Sequence, residues 1–435
     1  TEGEVFTVMK ATNLTNNSGM PYYLGGTSAA HYTYVNGYVY DDFGSASGHR
    51  KAWHPSTLAV AEGGGTTAGG AVDATQFHIY NNYSKSNDWA AAFDGQTAYS
   101  DFAHTPSFAQ NGHVHIGARN GLVFNGQTAE HLFFNRKLTT DERQRVNSYL
   151  GAKYGITLKH DYFASDWNGV TGGKYWDVGG SGGYDSDIAG ILRDDALQIN
   201  QLQGRSASPG FQPAIGLGNL VASNDQNTNS FSADKTAMFW GSDGGETLFK
   251  TALTAPSGIA LNYRMSRIWK IDETGTVGTV KFAAPKPLAN GGAVYLVRSA
   301  DATFDASDTY TQLTNLTVNG IEYLAADVDF ADGSFFTLAA YVVTPGCVTN
   351  IITNDCNVVQ NGEFSAAAAW TLGTGWSIGG TALNYHDAAT NFDLSQTAVG
   401  LNNGPVANQV TLSFDVYTNG SGNIATSSTT ARLEL

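Results

Sequence analysis

Cysteine is nearly absent: Cys347 and Cys356 are the two in 435 residues. Two thiols cannot build a disulfide scaffold or a four-ligand zinc site, so packing has to hold the chain together, and the pair is read as one small disulfide loop in a Thr/Asn-rich connector. Charge is scarce too, at 14%, and leans acidic, with 38 Asp and Glu against 23 Lys and Arg for a formal net charge of −15. A chain of that sign is repelled by a phosphate backbone, which excludes nucleic acid as a partner. Long hydrophobic runs are missing. No stretch reaches the ~20 apolar residues of a membrane helix, and no signal-peptide pattern opens the chain at Thr1. Helical periodicity is confined to one segment, at about 140–154.

What is present is glycine, 51 residues, and aromatic side chains, 12% of the total. Short alternating runs carry them: Val5, Phe6 and Val8; Tyr32, Tyr34, Tyr38 and Tyr40; Phe77, Ile79 and Tyr80; Trp89 and Phe93. Period-2 runs of this kind, broken by Gly, Asn and Ser, read as strands. Asn36-Gly37 and Asp94-Gly95 are two-residue hairpin signals, since both central positions of a type I′ turn need positive φ. The one helix has a capping box, Thr139 with Glu142, an apolar series Val146, Tyr149, Leu150 and Tyr154, and Gly155 as its stop. The fold class is therefore all-β with one short helix at about 140–154, and the family resemblances carried by the segments below imply that it takes the form of tandem antiparallel β-sandwich (jelly-roll) domains. A length of 435 residues calls for two or three cores.

Residues Thr128–Thr157, a strand followed by the capped helix, resemble the end of the bacterial laminin-G-like, concanavalin A-like lectin domain of large secreted adhesins. Tyr40–Gly44, Asn87–Trp89, Phe93–Gly95 and His115–Ala118 resemble earlier strands of the same domain, whose usual first strands are missing before Thr1, implying truncation or a swapped strand. A second series, Trp176-Asp177, Tyr184–Asp195, Asn200–Gln203, Phe239–Gly241, Arg267–Val280 and Phe335–Leu338, resembles an uncharacterised β-rich family that follows the lectin-like domain in surface proteins of Gram-negative bacteria, particularly Bacteroidota. Val358–Ser365, Trp370, Gly375–Ser377, Leu394–Gln396 and Leu412–Tyr417 resemble the start of a carbohydrate-binding-module jelly roll. The expected domains are 1–157, a lectin-like sandwich; 158–343, its companion; 344–357, the cysteine linker; and 358–435, an incomplete jelly roll.

Candidate site residues fall into three sets. A sugar-binding surface needs flat aromatics beside hydrogen-bonding groups; Tyr38, Trp53 and Trp89, with Asp41 and Asp42 at the sandwich rim, are the candidates. Asp185, Asp187, Asp194 and Asp195 lie within eleven residues that follow Gly182-Gly183. Oxygen ligands in such a loop suit a hard cation, so Ca2+ is the candidate cofactor, against the alternative of turn caps and Arg193 pairing. His113 and His115 share a strand face but lack a third ligand. Catalytic patterns are missing: no Glu-x-Asp-x-x-Glu strand, nucleophile elbow or metalloprotease histidine pair occurs. Asp272-Glu273, adjacent on a strand, point to opposite faces and cannot flank one bond.

The expectation is a non-catalytic segment of a bacterial cell-surface adhesin, extracellular, binding glycans or surface proteins at low affinity per site with avidity from many copies. Two alternatives stand beside it: a structural spacer or filament subunit that pairs with neighbouring copies of the same chain, and a concanavalin-type enzyme with carboxylates about 5 to 9.5 Å apart. Biofilm and gliding roles follow from the resemblance alone.

Overall fold

The computed structural model describes residues 2–12, 72–103, 113–119, 122–286 and 292–342, together with short strands between 18 and 67 and between 371 and 395, whose side chains, Pro21 and Tyr22 apart, are outside the described set. The chain divides into two compact units, Thr1–Val342 and Val343–Leu435. In the second unit two strand pairs are described, Thr371–Leu372 with Leu394–Ser395 and Trp376–Gly379 with Ala382–Tyr385. Cys347 and Cys356 lie outside the described residues.

Among its described residues the first unit is all-β with one α-helix, and four antiparallel sheets make its body. Sheet 1 runs in the order Gly126–Phe134, Gly3–Ala11, His78–Lys85, Asp88–Phe93, Gln96–Asp101, Thr66–Thr67; sheet 2 begins with His113–Ile116 and Ser18–Gly25 and continues through Ala30–Val35, Tyr38–Phe43, Arg50–Trp53 and Val60–Glu62. Sheet 3 has nine strands around Ser186–Asp194, Thr236–Ser242, Trp269–Thr274 and Phe335–Ala340. Sheet 4 is ordered Gln203–Arg205, Ala214–Leu217, Thr279–Pro285, Ile321–Asp329, Thr314–Val318.

Alternation along the strands shows how these sheets stack. In Gly3–Ala11, Val5, Met9 and Ala11 enter one core with Tyr22, Tyr80, Phe93 and Tyr99, whereas Phe6 and Val8 enter another with Ile79, Leu150, Trp176, Ile188 and Phe239. The strand is apolar on both faces because both are covered, which a half-exposed sandwich strand would not be. Thr236–Ser242 behaves alike: Ala237 and Phe239 join the second core, and Met238 and Trp240 a third, between sheets 3 and 4, with Trp269, Phe282 and Phe336. The expected boundary at 157/158 thus falls inside a continuous core. The helix and the Tyr162–Phe163 and Lys174–Trp176 strand pair fill the space between sheets 1 and 3.

The helix, α1, spans Thr140–Tyr154 and is capped as its sequence requires. Thr139 Oγ1 accepts from the Glu142 amide at 3.3 Å, and Glu142 Oε2 accepts from the Thr139 amide at 2.9 Å. Arg136, with two 2.7 Å bonds, and that amide hold the Glu142 carboxyl down at about 2. Replacing Thr139 with Ala is expected to lower stability by about 1 kcal/mol in a urea titration. The buried face differs from the apolar series. Asn147, Ser148, Leu150, Gly151 and Ala152 are its buried residues, while Val146, Tyr149 and Tyr154 are half-buried. Small residues win because the chain folds back tightly here: Phe163 N donates to Ser148 Oγ at 2.9 Å, and a Cβ on Gly151 would stand 3.0 Å from Leu158 and Tyr162 atoms.

Glu4 fastens the helix to sheet 1. Its carboxylate, fully buried, accepts from Arg143 Nε at 2.6 Å and Nη2 at 2.9 Å, from the Leu138 amide at 2.8 Å and from Asn81 Nδ2 at 3.0 Å. The Arg143 guanidinium lies 4.2 Å above the Tyr83 ring. Four donors satisfy the charge that burial would otherwise penalise.

Candidate functional site

Asp94-Gly95 forms the turn expected of it, with φ of 50° and 82°. The aromatic candidates divide. Trp89 is fully buried, so its ring faces protein and offers nothing to a ligand, as is usual for a strand aromatic in a closed sandwich. Tyr38, Asp41 and Asp42 lie within the Tyr38–Phe43 strand, where Asp41 pairs with Tyr32 and Lys51 and Asp42 with His31 and Arg50, so the two aspartates occupy strand positions rather than a rim loop. Trp53 ends Arg50–Trp53 opposite Val39. The side chains of these four lie outside the described residues.

The four aspartates assigned to calcium are not brought together. Asp185 accepts from Ser181 Oγ; Asp187 pairs with Arg267 at 2.7 Å and Ser242 Oγ at 2.9 Å. Asp194, fully buried, accepts from Ser165 N at 2.9 Å, Tyr175 Oη at 2.8 Å and Leu197 N at 3.2 Å. Burial and that carboxylate push the Tyr175 phenol far up. Asp195 pairs with Arg193 at 2.8 and 2.9 Å. Strand geometry is the reason: Ser186–Asp194 separates the carboxylates along an extended segment, and each meets its own donor. Among the described residues no group of three or more His, Cys, Asp or Glu stands where it could hold a metal ion.

Asp272 and Glu273 sit side by side on Trp269–Thr274, where adjacent residues face opposite sides of the sheet. Burial, reinforced by Asp332, raises Asp272; burial also raises Glu273, whose carboxylate is taken by the Val277 amide.

A groove that the sequence did not announce lies over sheet 4. Its cavity is about 300 Å³, at the lower end of ligand pockets, which run from roughly 300 to 1,000 Å³. Register sets the row of residues from which the groove opens. Arg205 lies opposite Ala214, Ala214 opposite Ala283, and Ala283 opposite Ala325, so one row crosses four strands with three methyl groups on the face away from the inner core. Of this row Arg205 and Ala214 line the groove, while Ala283 and Ala325 are buried in one cluster with Tyr323, which stands two residues before Ala325 on the same face, lines the groove and is 7% exposed. The end of α1 forms one wall, and the Val318–Ile321 turn the other. That turn is Asn319-Gly320, with φ of 49° and 77°, a hairpin dipeptide of the same kind as Asp94-Gly95 and the signal that could have pointed here.

The polar groups in the groove are of two kinds. Gln203 is spent on Val221, donating to its carbonyl at 2.9 Å and accepting from its amide at 3.1 Å. Lys153 bonds Glu130 at 2.9 Å and Tyr149 Oη at 2.7 Å, and Tyr154 Oη donates to Glu130 at 2.8 Å. Burial opposes the Lys153 charge, but Glu130 and Tyr149 outweigh it and hold the ammonium above its ordinary range; burial and Glu130 push the Tyr154 phenol up to about 12. By contrast, the Tyr323 hydroxyl, the Arg205 guanidinium and the Asn319 amide have no protein partner among the described residues, and Gln201 uses only its amide nitrogen, on Gln203 O at 2.7 Å. Ile321, 53% exposed, adds an apolar lip, and no Asp or Glu lines the groove.

Residues 142–334 match the model of a family described as a domain of unknown function, DUF8202, a match that begins within α1. Comparison with curated proteins gives no match. Among solved structures, the chain is similar to the binding domain of botulinum neurotoxin serotype D, at 9% identity and TM-score 0.28, covering 79% of this chain and 78% of that one. Domains LG4-5 of the mouse laminin α1 chain align at 8% identity and TM-score 0.22, covering 79% and 76%. The botulinum neurotoxin DC binding domain, solved in complex with SialylT, aligns at 9% identity and TM-score 0.23, covering 80% and 81%. No helix among the described residues is long and apolar enough to cross a membrane.

Proposed function

We propose that the chain is a non-catalytic, glycan-binding segment of an extracellular bacterial surface protein, and that the groove over sheet 4 is a binding site. The observation that carries this is a set of planar polar groups with unused hydrogen-bonding capacity, Tyr323, Arg205, Asn319 and the side-chain carbonyl of Gln201, in a groove also lined by Ala214 and Leu220 with Ile321 at its lip. Saccharide hydroxyls take hydrogen bonds from such groups while the apolar ring face packs on hydrocarbon. A glycosidase needs a general acid and a second carboxylate across the bond, and the lining supplies neither. The surface location is supported by the sequence resemblance and by a composition rich in glycine and aromatics but poor in cysteine. Weak single sites would act through avidity.

A glycan array probed with the full chain, with and without chelator, tests this reading. Binding is expected to survive chelation, because the groove offers no carboxylate to a cation. Tyr323→Phe should weaken it by up to about tenfold, the worth of one hydrogen bond. An array blank in both conditions leaves the spacer role instead.

A further inference from the structure

Arg205 is the one arginine among the described side chains without a hydrogen-bond, ion-pair or ring partner. The others are all engaged: Arg136 with Glu142, Arg143 with Glu4, Arg193 with Asp195 and Arg267 with Asp187, while Arg145, Arg264 and Arg298 donate to backbone carbonyls. In a chain with 38 acidic and 23 basic residues, an arginine left without a carboxylate is conspicuous, and Arg205 is exposed and open to a ligand. Its position adds to this. Arg205 stands at the end of the alanine row, on the groove's face of sheet 4.

The second charged lining residue is already neutralised, because Lys153 is bonded to Glu130. The lining therefore holds one uncompensated positive charge and no negative one. At the far side of the row stands Tyr323, a residue 7% exposed, whose hydroxyl likewise has no protein partner among the described residues. A guanidinium presents its donors in a fork that matches two oxygens of a carboxylate or sulfate. We infer that the groove takes an acidic saccharide, with its carboxylate or sulfate group on Arg205 and a neighbouring hydroxyl or ring oxygen on Tyr323. This rests on the glycan-binding reading of the same groove.

The seat for Arg205 is fixed by backbone. Ala207 N donates to Gly155 O at 2.8 Å, and a Cβ on Gly204 would stand 2.5 Å from Gly190 O, so the strand cannot drift from its neighbours. The backbone beneath Arg205 is thus fixed, while its exposed side chain is ordered only when an anion binds it.

Calorimetric titration of the full 435-residue chain with four probes tests the inference: tetragalacturonate, its methyl ester, a sulfated galactan tetrasaccharide and the desulfated galactan. The expected result is binding of at least one acidic probe at least tenfold tighter than its neutral counterpart, reduced at least tenfold in Arg205→Ala and partly retained in Arg205→Lys. The uronate and sulfate arms show which anion is preferred. Circular dichroism melts of the variants should overlay that of the parent, since Arg205 holds no other residue. Equal binding of the acidic and neutral probes, or acidic binding unchanged in Arg205→Ala, overturns the acidic class while leaving a glycan site. Failure of all four probes, in a protein that also leaves a glycan array blank, overturns both.

Discussion

Glu4→Ala is expected to destabilise the first unit by about 3–5 kcal/mol, the range found when one partner of a buried ion pair is removed. The loss comes from what stays behind. Arg143, with its side chain 15% exposed, would keep its charge between sheet 1 and α1 with only the Leu138 carbonyl at 3.0 Å and the Tyr83 ring for company, and the Leu138 amide and Asn81 would lose their acceptor. Urea unfolding of the full chain, followed by tryptophan fluorescence, measures it. The double variant Glu4→Ala/Arg143→Met should recover a substantial part of the loss, because it removes the stranded charge. If the two single losses simply add, Glu4 and Arg143 are not coupled and the account of how α1 is fastened fails.

The second large effect concerns the end of α1. Gly155 has φ of 66°, and a Cβ there would lie 2.1 Å from the Arg205 carbonyl oxygen and 3.2 Å from the Ala207 amide nitrogen. Gly155→Ala therefore combines about 1–2 kcal/mol for a side chain in the left-handed region with about 1–3 kcal/mol for a clash that only backbone movement relieves. Gly182→Ala is the control: its φ is 79°, but the added methyl would meet nothing within 4 Å. It should show the conformational cost alone. Equal destabilisation of the two variants would mean that the contact between α1 and Gln203–Arg205 is not tight. Since Arg205 is the atom group displaced, Gly155→Ala should also weaken binding of an acidic saccharide, which Gly182→Ala should not.

Legibility in the sequence followed the range of the interaction that each feature needs. The helix could be read residue by residue, since Thr139, Glu142 and Gly155 act on amides three or four positions away. Asp94-Gly95 was readable because a type I′ turn constrains its own two residues. The strands of sheets 1 and 3 followed from alternation and β-forming composition. Side-chain fates were harder. Trp89 has the residue type of a sugar platform, yet depth in the fold, which its neighbours in sequence do not encode, places it fully inside. Asp185, Asp187, Asp194 and Asp195 look like a cluster on paper; their donors, Ser181, Arg267, Tyr175 and Arg193, come from different strands and loops and draw them apart.

The amino-acid sequence by itself determined the all-β class, the single capped helix and the acidic, cysteine-poor character, because propensity, periodicity and charge are properties of short windows. Only the tertiary structure decided that sheets 1 and 3 share a core around α1, and that Arg205, Ala214, Ala283 and Ala325 line up beside Tyr323. Those residues are separated by up to 120 positions. Cross-strand register brings them together, and register is fixed by which faces are buried against which, a property of the packed whole.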